Sequence, residues 1–533
     1  MTTCGELLVG LLEAYGIDTV FGIPGVHTVE LYRGLPDTRL RHVTPRHEQG
    51  AGFMADGYAR ACGRPAACFI ITGPGLTNIA TALGQAYADS VPLLVISSVN
   101  NRHELGLGEG RLHELPSQRN LVSGLTAFSH TLQRPDELPG VLARAFAVFD
   151  AARPRPVHIE LPLDIITAPA DHLPKPRVAP VARPGPATDA IVAAAELLRG
   201  AERPLVVLGG GAQDAAPQAR ALVERLGAPA VTTVNGVGIL PPEHPLCPGS
   251  TLSQPAVLEE MAEADVVLAV GTELGETDTL LFDGRPTLGG RLIRIDIDPG
   301  QLASNALPDV AILGDAGLAL EALERELGDY ETDWAPANAR VQTLRERSQR
   351  LLDGRQRLHQ RFMATVQEAL PDVIMVGDST QLVYSANMFY RAEQPRSYFN
   401  SSTGYGTLGY ALPAALGAKL ARPGRPVVAL VGDGGLQFTV GELATAVELA
   451  LPIPILLWNN RGYGEIKRYM ADRGIPQIGV DIYTPDFLTI ARGFGCRAER
   501  AESLDHLRGL LRQSTQEAGP TLIEIDEEEA LAW

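Results

Sequence analysis

Short runs of valine, isoleucine and leucine alternate with longer helical patterns along the chain, and this alternation limits the folds that the sequence can adopt. Short apolar runs with few charges are typical of strands that are buried on both faces of a parallel sheet. Strands that alternate with helices favour βαβ units. We therefore predict an α/β protein with doubly wound parallel sheets and strands at Thr19–Phe21, Ala67–Ile71, Leu93–Ser97, Leu205–Leu208, Val266–Val270, Leu292–Ile297, Val373–Val376, Val427–Val431, Ile455–Trp458 and Leu522–Ile525.

Two proline-rich stretches divide the chain into three parts. The first stretch runs from Ala168 to Pro186, and the second lies near Tyr330–Asn338. At roughly 150 residues per domain, the 533 residues exceed what one hydrophobic core can hold. We therefore predict a first domain over residues 1–168, a central Rossmann-like domain over 187–329 and a third domain over 345–533. The first and third domains are similar in the order of their strands and helices.

The charge and the cysteine content exclude several classes of partner. A formal net charge of −18 would repel nucleic acids and anionic membranes, so we expect neither as a partner. No apolar run approaches the length of a membrane span. The five cysteines are scattered and show no C-x-x-C spacing, which is typical of a protein of the reducing cytoplasm.

Two glycine-rich motifs follow predicted strands in the last third of the chain. They are VGDGG (residues 431–435) and NNRGYG (459–464), and Asn460 lies 27 positions after Asp433. Either motif alone is compatible with an ordinary tight turn. Together they resemble the thiamine diphosphate signature, because a carboxylate, an amide oxygen and the main-chain carbonyl of Gly462 are the ligands that Mg²⁺ prefers. The glycines after Asp433 let the main chain approach a diphosphate.

Four further motifs extend the resemblance to nearly the whole chain. In chain order they are FGIPG (residues 21–25), PRHEQGAG (45–52), GPGLTN (73–78) and GYGTLG (404–409). With the first two motifs they resemble the acetolactate synthase and benzoylformate decarboxylase group of thiamine diphosphate enzymes. In that family the cofactor lies between the pyrimidine-binding first domain of one subunit and the diphosphate-binding third domain of its partner. The resemblance therefore implies a homodimer at minimum, and a homotetramer as a dimer of dimers.

The resemblance gives Glu48 the catalytic role. In the family this glutamate hydrogen-bonds N1′ of the aminopyrimidine, so that the cofactor supplies its own base. A solvated surface glutamate or a helix cap is the alternative for a lone glutamate. Leu408 would hold the cofactor in a bent shape. The cofactor-binding residues that the resemblance implies are Ile23, Pro24, Gly25, Glu48, Thr72, Asn78, Thr380, Gln381, Gly406, Leu408, Asp433, Gly434, Gly435, Asn460, Gly462, Tyr463 and Gly464, with Asp433, Asn460 and Gly462 as the Mg²⁺ ligands.

Departures from the subgroups of the family narrow the expected reaction to non-oxidative decarboxylation of a 2-oxo acid. The chain lacks the Arg-Phe-Asp-Asp-Arg stretch that acetolactate synthases usually carry near their flavin, so we do not expect FAD. Phe53 stands where those enzymes commonly have histidine, and Ile71 and Val26 replace a histidine and a serine of benzoylformate decarboxylases. An acetolactate synthase-like carboligase, a benzoylformate-type decarboxylase and a non-catalytic relative remain alternatives, although the intact cofactor residues argue against the last.

Acidic and polar residues occupy two segments that border the substrate entrance in the family. They are Glu104, Glu109, His113, Glu114 and Gln118 in one segment and Glu273, Glu276 and Asp278 in the other. Because a carboxylate pair is what a guanidinium binds, and because GRLHELPSQ and GTELGETD resemble bacterial 5-guanidino-2-oxopentanoate decarboxylases of arginine catabolism, we predict that substrate. Solvated loop charges are the alternative. Substrate contacts are predicted for Val26, His27, His113, Glu114, Gln118 and Glu273, and the candidate proton donors are His27, His47 and His113.

Overall fold

The computed structural model describes residues 2–173, 178–282 and 284–533. The described residues form three separate parallel sheets, each accompanied by helices, so the predicted α/β architecture is confirmed. Residues 174–177 of the first proline-rich stretch lie outside the described residues. No helix of the described ranges combines the length and the apolar character that crossing a membrane requires.

The first sheet has six parallel strands in the order β2-β1-β3-β4-β6-β5. Its strands are β1 (Thr19–Gly22), β2 (Arg41–Val43), β3 (Ala66–Ile70), β4 (Leu93–Val99), β5 (Phe128–Thr131) and β6 (Val157–Pro162). Its helices are Cys4–Ala14, Val29–Tyr32, Glu48–Cys62, Pro74–Ala88, Gln118–Leu121, Leu138–Ala151 and Leu163–Ile166.

The central sheet has five parallel strands in the order β11-β10-β9-β7-β8. Its strands are β7 (Pro204–Leu208), β8 (Ala230–Thr232), β9 (Val266–Val270), β10 (Arg291–Asp296) and β11 (Val310–Leu313). Its helices are Thr188–Arg199, Ala216–Leu226, Pro255–Glu263, Glu276–Thr279, Pro299–Leu302 and Ala316–Leu327.

The third sheet has six parallel strands in the order β13-β12-β14-β15-β17-β16, which repeats the strand order of the first sheet. Its strands are β12 (Ile374–Gly377), β13 (Tyr398–Asn400), β14 (Val427–Gly432), β15 (Pro454–Asn459), β16 (Arg497–Arg500) and β17 (Thr521–Asp526). The helices from residue 335 onward are Ala335–Leu351, Gly354–Ala369, Gln381–Phe389, Ala411–Ala421, Asp433–Thr439, Glu442–Glu448, Gly464–Asp472, Phe487–Gly493, Leu504–Ser514 and Glu527–Ala530. Short 3₁₀ turns occupy Leu35–Asp37, Arg102–Glu104, Ser123–Leu125, Pro135–Glu137, Gly210–Ala215, Val234–Gly236 and Ser401–Thr403.

Most of the strands that the apolar pattern missed are edge strands. The two outermost strands of every sheet, β2 and β5, β8 and β11, and β13 and β16, were not predicted, and neither was the inner strand β6. An edge strand is covered on fewer sides, so it tolerates polar residues such as those of β16, Arg-Ala-Glu-Arg. The polar sequence of β16 gives no apolar signal, whereas β11, Val-Ala-Ile-Leu, is an apolar run that the sequence analysis overlooked.

The segment after the central sheet is helical. Helix Ala335–Leu351 packs on the central part of the chain, because Ala337 joins its apolar core and Arg340 Nε donates to Glu260 at 2.7 Å. The predicted bounds of the three domains stay a prediction. The helix that begins in the second proline-rich stretch thus packs against the part of the chain that forms the central sheet.

The first and third parts of the chain are joined by two helices with glycine at their contact. Helix Glu48–Cys62 packs against helix Ala411–Ala421, and both helices are almost completely buried. A Cβ at Gly57 would overlap the carbonyl oxygen of Ala414, and a Cβ at Gly417 would overlap that of Met54. The two backbones therefore approach so closely that only glycine fits at these positions.

We expect Gly57→Ala to destabilise the protein by about 1–3 kcal/mol, because the added methyl group forces the two helices apart. The change is measured as a lower midpoint of the urea unfolding transition. Gly10→Ala is the matched control, since it also lies within a helix but a Cβ there has no neighbour within 4 Å. That control should be neutral or stabilising by up to about 1 kcal/mol, and an equal loss in both variants would contradict the close-contact explanation.

Candidate functional site

Three oxygen atoms converge at the ends of two neighbouring strands of the third sheet. β14 ends just before Asp433, and β15 ends just before Asn460. Oδ1 of Asn460 lies 2.8 Å from the carbonyl oxygen of Gly462 and 3.1 Å from Oδ1 of Asp433, and if the amide is turned over its nitrogen donates to both of these oxygens instead. The other carboxylate oxygen of Asp433 is buried and has no hydrogen-bond partner in the structure. Oxygens at such distances repel one another unless a positive charge lies between them.

The oxygen cluster fits a Mg²⁺ ion. Octahedral Mg²⁺ binds oxygens at about 2.0–2.1 Å, so adjacent ligands lie about 2.9 Å apart, close to the two distances at Asn460. Burial raises the pKa of Asp433 to about 6, because hydrogen bonds from main-chain N–H groups, among them that of Asn460, compensate the desolvated carboxylate only in part. A divalent cation would supply that compensation and favour the ionised form. The chemistry of these donors and their spacing therefore match a magnesium site.

The residues predicted to contact the diphosphate surround the oxygen cluster. Gln381 Oε1 accepts a hydrogen bond from Asn460 Nδ2 at 3.1 Å, and a Cβ at Gly432 would lie 2.9 Å from Thr380 Oγ1. Glycine is needed at position 434, because a Cβ there would lie 2.7 Å from the ring of Tyr463. The structure thus brings together Thr380, Gln381, Asp433, Gly434, Gly435, Asn460, Gly462, Tyr463 and Gly464.

A buried carboxylate fixes the loop that carries Gly406 and Leu408. Asp378 follows β12, is fully buried, and accepts hydrogen bonds from the main-chain N–H groups of Ser379 and Gly409, the latter at 2.9 Å. Its Oδ2 also packs against Gly435, where a Cβ would lie 2.9 Å away. Burial raises the pKa of Asp378 to about 7. Asp378 therefore connects the loop to the turn that begins at Asp433, a role that sequence reasoning missed.

Glu48 stands at the first turn of helix Glu48–Cys62 with its carboxylate half-buried. Its Oε2 accepts a hydrogen bond from Asn78 Nδ2 at 2.9 Å, and a Cβ at Gly75 would lie 3.4 Å from its Oε1. The two motifs that contain Glu48 and Asn78 therefore meet in space. His47 caps the same helix, because its Nδ1 accepts from Gln49 N at 3.1 Å.

A glutamate of the third part of the chain holds the start of the helix that carries Glu48. Glu442 is 1% exposed, and its Oε1 accepts from the main-chain N–H groups of Arg46 at 3.0 Å and His47 at 3.2 Å. Glycine at position 50 leaves room for this carboxylate, since a Cβ there would overlap it. Unpaired N–H groups at a helix start favour a carboxylate. Burial raises the pKa of Glu442, so these hydrogen bonds offset a real desolvation cost.

The residues predicted at the pyrimidine and substrate end form a second group beside Glu48. Ile23, Pro24 and Gly25 follow β1, and Gly25 packs so closely on Ile71 that a Cβ would overlap its side chain. His27 Nδ1 lies 2.9 Å from Thr72 Oγ1. The residues that meet here include Val26, His27, Thr72, His113 and Gln118.

Two of the predicted substrate residues have other partners in the chain. Glu114 accepts hydrogen bonds from the main-chain N–H groups of Gly108 at 2.8 Å and Arg111 at 3.0 Å, and these bonds lower its pKa. Glu273 forms an ion pair with Arg153 and lines a cavity of about 630 Å³ between the three parts of the chain. That cavity adjoins the end of helix Pro74–Ala88, whereas His113 adjoins its start, so one chain does not bring Glu273 beside His113.

Family models match the chain over three stretches. The N-terminal TPP binding domain of thiamine pyrophosphate enzymes matches residues 2–122, their central domain matches 191–323, and their C-terminal TPP binding domain matches 378–525. The chain therefore belongs to the thiamine pyrophosphate enzyme family, thiamine pyrophosphate being another name for thiamine diphosphate. The resemblance inferred from the motifs is confirmed.

Individual relatives cover nearly the whole chain. A probable 2-ketoarginine decarboxylase, AruI, of Pseudomonas aeruginosa is 51% identical over 98% of this chain and 94% of its own length. A probable acetolactate synthase large subunit of Methanocaldococcus jannaschii is 33% identical over 99% of this chain and 92% of its own length. A solved structure from Mycobacterium smegmatis, of a protein assigned as a thiamin diphosphate-dependent enzyme, has a TM-score of 0.84 at 26% identity and covers 99% of both chains.

We expect Glu442→Gln to lower the stability of the protein by about 1–3 kcal/mol, because the amide presents hydrogens to main-chain donors in a buried place. The measurement is the midpoint of thermal unfolding. Glu448→Gln is the matched control, since Glu448 also pairs with Arg46 but its side chain is 58% exposed, and its loss should stay within about 0.5 kcal/mol. Equal shifts in the two variants would refute the capping role of Glu442.

Proposed function

We propose that this protein is a thiamine diphosphate- and Mg²⁺-dependent decarboxylase that converts 5-guanidino-2-oxopentanoate, also called 2-ketoarginine, into 4-guanidinobutanal and carbon dioxide in arginine catabolism. The observation that carries this proposal is the 51% identity, over 98% of the chain, to a probable 2-ketoarginine decarboxylase. The relatives described as acetolactate synthases are more distant, with 33% identity for the one from M. jannaschii. Carboligation, the reaction of an acetolactate synthase, is therefore the second candidate, ranked below decarboxylation because the identity is lower.

The residues of the third part of the chain are proposed to hold the metal and the diphosphate. Asp433, Asn460 and Gly462 present the oxygens for Mg²⁺, and Thr380 and Gln381 lie beside them. When bound, thiamine diphosphate supplies a carbon nucleophile for the 2-oxo group and an acceptor for the electrons that carbon dioxide leaves behind. FAD is not part of the proposal.

Glu48 is proposed to be the catalytic carboxylate that holds a proton at N1′ of the aminopyrimidine. Its position supports this role, because one oxygen is fixed by Asn78 and the other faces Gly75, where no side chain intervenes. A carboxylate that is half-buried and held by a neutral amide keeps a basic oxygen available to a ligand.

A second copy of the chain is proposed to complete the site. Glu48 contacts helix Pro74–Ala88 near Gly75 and Asn78, whereas the loop of Gly406 packs on the same helix near Gln85 and Asp89. At 1.5 Å per residue these two contact regions are about 15 Å apart along the helix. A single pyrimidine ring does not span that length, so a loop from another subunit has to approach Glu48.

Exposed apolar side chains next to the cofactor residues support the same assembly. Val26 is 66% exposed, Phe438 is 55% exposed and Ile466 is 51% exposed, and each lies within a few residues of a predicted cofactor contact. Large exposed apolar groups that cluster on one surface mark interaction sites. We propose a homodimer that pairs into a homotetramer and, since all five cysteines are free thiols, a cytoplasmic enzyme.

The loop after β4 supports a substrate that carries a guanidinium. Arg111 bridges two carboxylates of this loop, with its Nη1 3.4 Å from Glu104 Oε1 and its Nη2 3.1 Å from Glu109 Oε2. The two acids are therefore spaced to receive one planar cation between them. A substrate guanidinium that binds here would take the place of Arg111, whose side chain is 49% exposed.

The test of the proposed function is a panel of 2-oxo acids given to the purified protein with thiamine diphosphate and Mg²⁺. Carbon dioxide release and the mass of the organic product are measured for 2-ketoarginine, pyruvate, benzoylformate and 2-oxopentanoate, an analogue without the guanidinium. We expect 2-ketoarginine to give the highest kcat/KM and an aldehyde as product. Acetolactate from pyruvate, with no turnover of 2-ketoarginine, would refute the proposal and establish the carboligase.

Two variants should separate catalysis from cofactor binding. Glu48→Gln should retain thiamine diphosphate within a few-fold of the wild-type affinity but lose roughly a hundred- to ten-thousand-fold in kcat, because the amide cannot hold the transferable proton. Asp433→Ala should instead lose Mg²⁺-dependent binding of the cofactor. Calorimetry with and without Mg²⁺ gives the affinities. Normal turnover by the Glu48 variant, or unchanged binding by the Asp433 variant, would overturn the corresponding assignment.

A further inference from the structure

Two histidines face each other beside Glu48, and nothing in the family models assigns them a role. The rings of His27 and His113 are 5.3 Å apart between centroids, and their planes are at 89°. Both side chains are half-buried, so each keeps an open face. His27 Nδ1 lies 2.9 Å from Thr72 Oγ1, which fixes the orientation of that ring and leaves Nε2 for another partner.

The histidine pair and Glu48 flank the same turn of the chain. Thr72 contacts His27, and Gly75, three residues later, contacts Glu48. Three residues of extended chain span at most about 11 Å, and the turn at Gly73 shortens this distance. All of these residues belong to the first part of one chain, so their proximity does not depend on a partner subunit. A substrate activated next to Glu48 is within reach of the pair.

Buried hydrogen bonds hold this arrangement in place. Ser98 Oγ accepts from Thr72 N at 3.1 Å and lies 3.0 Å from Thr72 Oγ1. Gln118, which is 3% exposed, accepts from Gly73 N at 3.1 Å and donates to Ser98 O at 2.6 Å. These contacts fix both sides of the turn that carries the Thr72 hydroxyl.

The backbone of His113 is held in an unfavourable conformation. Its φ angle is +61°, in the left-handed region that non-glycine residues rarely adopt. Its carbonyl lies against Gly73, where a Cβ would overlap it, and Gly73 itself has φ +69°. Such strain costs of order 1–3 kcal/mol and clusters at functional sites. The conformation that places His113 opposite His27 therefore lowers the stability of the folded protein.

We propose that His27 is the acid that protonates the substrate carbon after decarboxylation and that His27 then regains a proton through His113. This inference rests on the proposed function. The bond between the 2-oxo carbon and the carboxylate breaks, its electron pair stays with that carbon, and carbon dioxide leaves. One proton from His27 then forms the new C–H bond of the aldehyde, and His113 returns a proton from water. Once the carbon is protonated it can no longer attack a second carbonyl compound. The histidine pair therefore favours release of the aldehyde over carboligation.

The surroundings of the pair suit an acid that exchanges its proton. Burial, and next the charge of His113, lower the pKa of His27, while Glu104 opposes this effect. A lowered pKa makes the imidazolium a better proton donor. Neighbouring acids serve this role poorly, since hydrogen bonds from the loop main chain lower the pKa of Glu114. Further charged or titratable groups of these segments are His103 and Arg111, which lie beside Glu104, and Glu48, which faces Gly75.

The experiment uses the holoenzyme and compares carbon dioxide release with aldehyde formation in one turnover, with 2-ketoarginine as substrate. In His27→Asn the amide keeps a polar atom near the position of Nδ1 but has no transferable proton. We expect carbon dioxide release in the first turnover within a few-fold of wild type, and aldehyde formation lower by roughly a hundred- to ten-thousand-fold. His113→Asn should show the same split more weakly. His103→Asn is the control, because its ring is 76% exposed and lies 3.9 Å from Glu104, and it should behave as wild type.

The pH profile supplies a second readout that a structural role would not change. Wild-type aldehyde formation should rise toward acid through the lowered pKa of His27, and His27→Asn should lose this limb. Aldehyde formation at the wild-type rate in both the His27 and His113 variants would overturn the proposal, as would an equal loss of carbon dioxide release and aldehyde. Failure of the wild-type protein to release carbon dioxide from any 2-oxo acid would instead refute the proposed function, and the proposal with it.

Discussion

The structure depends on the close contact between helix Glu48–Cys62 and helix Ala411–Ala421. This contact needs glycine on both helices, because any side chain at Gly57 or Gly417 would overlap the opposite backbone. It orients the helix that begins with Glu48 relative to the sheet that carries Asp433 and Asn460. Buried charges secure it, since Asp56 pairs with Arg60 at 2.7 Å and accepts from Tyr410 at 2.5 Å. Close packing and the buried ion pair together hold the joint between the two sheets, although the second carboxylate oxygen of Asp56 has no hydrogen-bond partner among the described residues.

Two carboxylates that accept hydrogen bonds from main-chain N–H groups connect this helix contact to the predicted cofactor site. Glu442 caps the helix of Glu48 from the third part of the chain, and Asp378 connects the loop of Gly406 and Leu408 to the turn at Gly435. Both acids are buried, and burial raises the pKa of each. Asp433 is different, because one of its oxygens has no partner in the chain. The first two acids are thus used for structure, while the third is left for a ligand.

Much of the fold could be predicted from the sequence, because strands buried on both faces must consist of apolar residues. Every strand predicted from an apolar run is present, from β1 to β17, with bounds shifted by only one or two residues. The missed edge strand β16 carries polar residues that give no apolar signal, whereas β11 is an apolar run that was overlooked. The substrate contacts were harder to predict. The sequence suggests that Glu114 and Glu273 are available to a substrate, whereas in the fold each is paired with another group of the chain.

The sequence by itself determined the three α/β units and the residue types of the cofactor site, because an apolar strand and a glycine-rich turn with a carboxylate are local patterns. Only the tertiary structure decided how these parts cooperate. The cap that Glu442 places on His47 joins residues 395 positions apart, and the contact of His27 with Thr72 joins residues 45 positions apart. No local pattern encodes such pairs, because each depends on where the sheets put the ends of different strands.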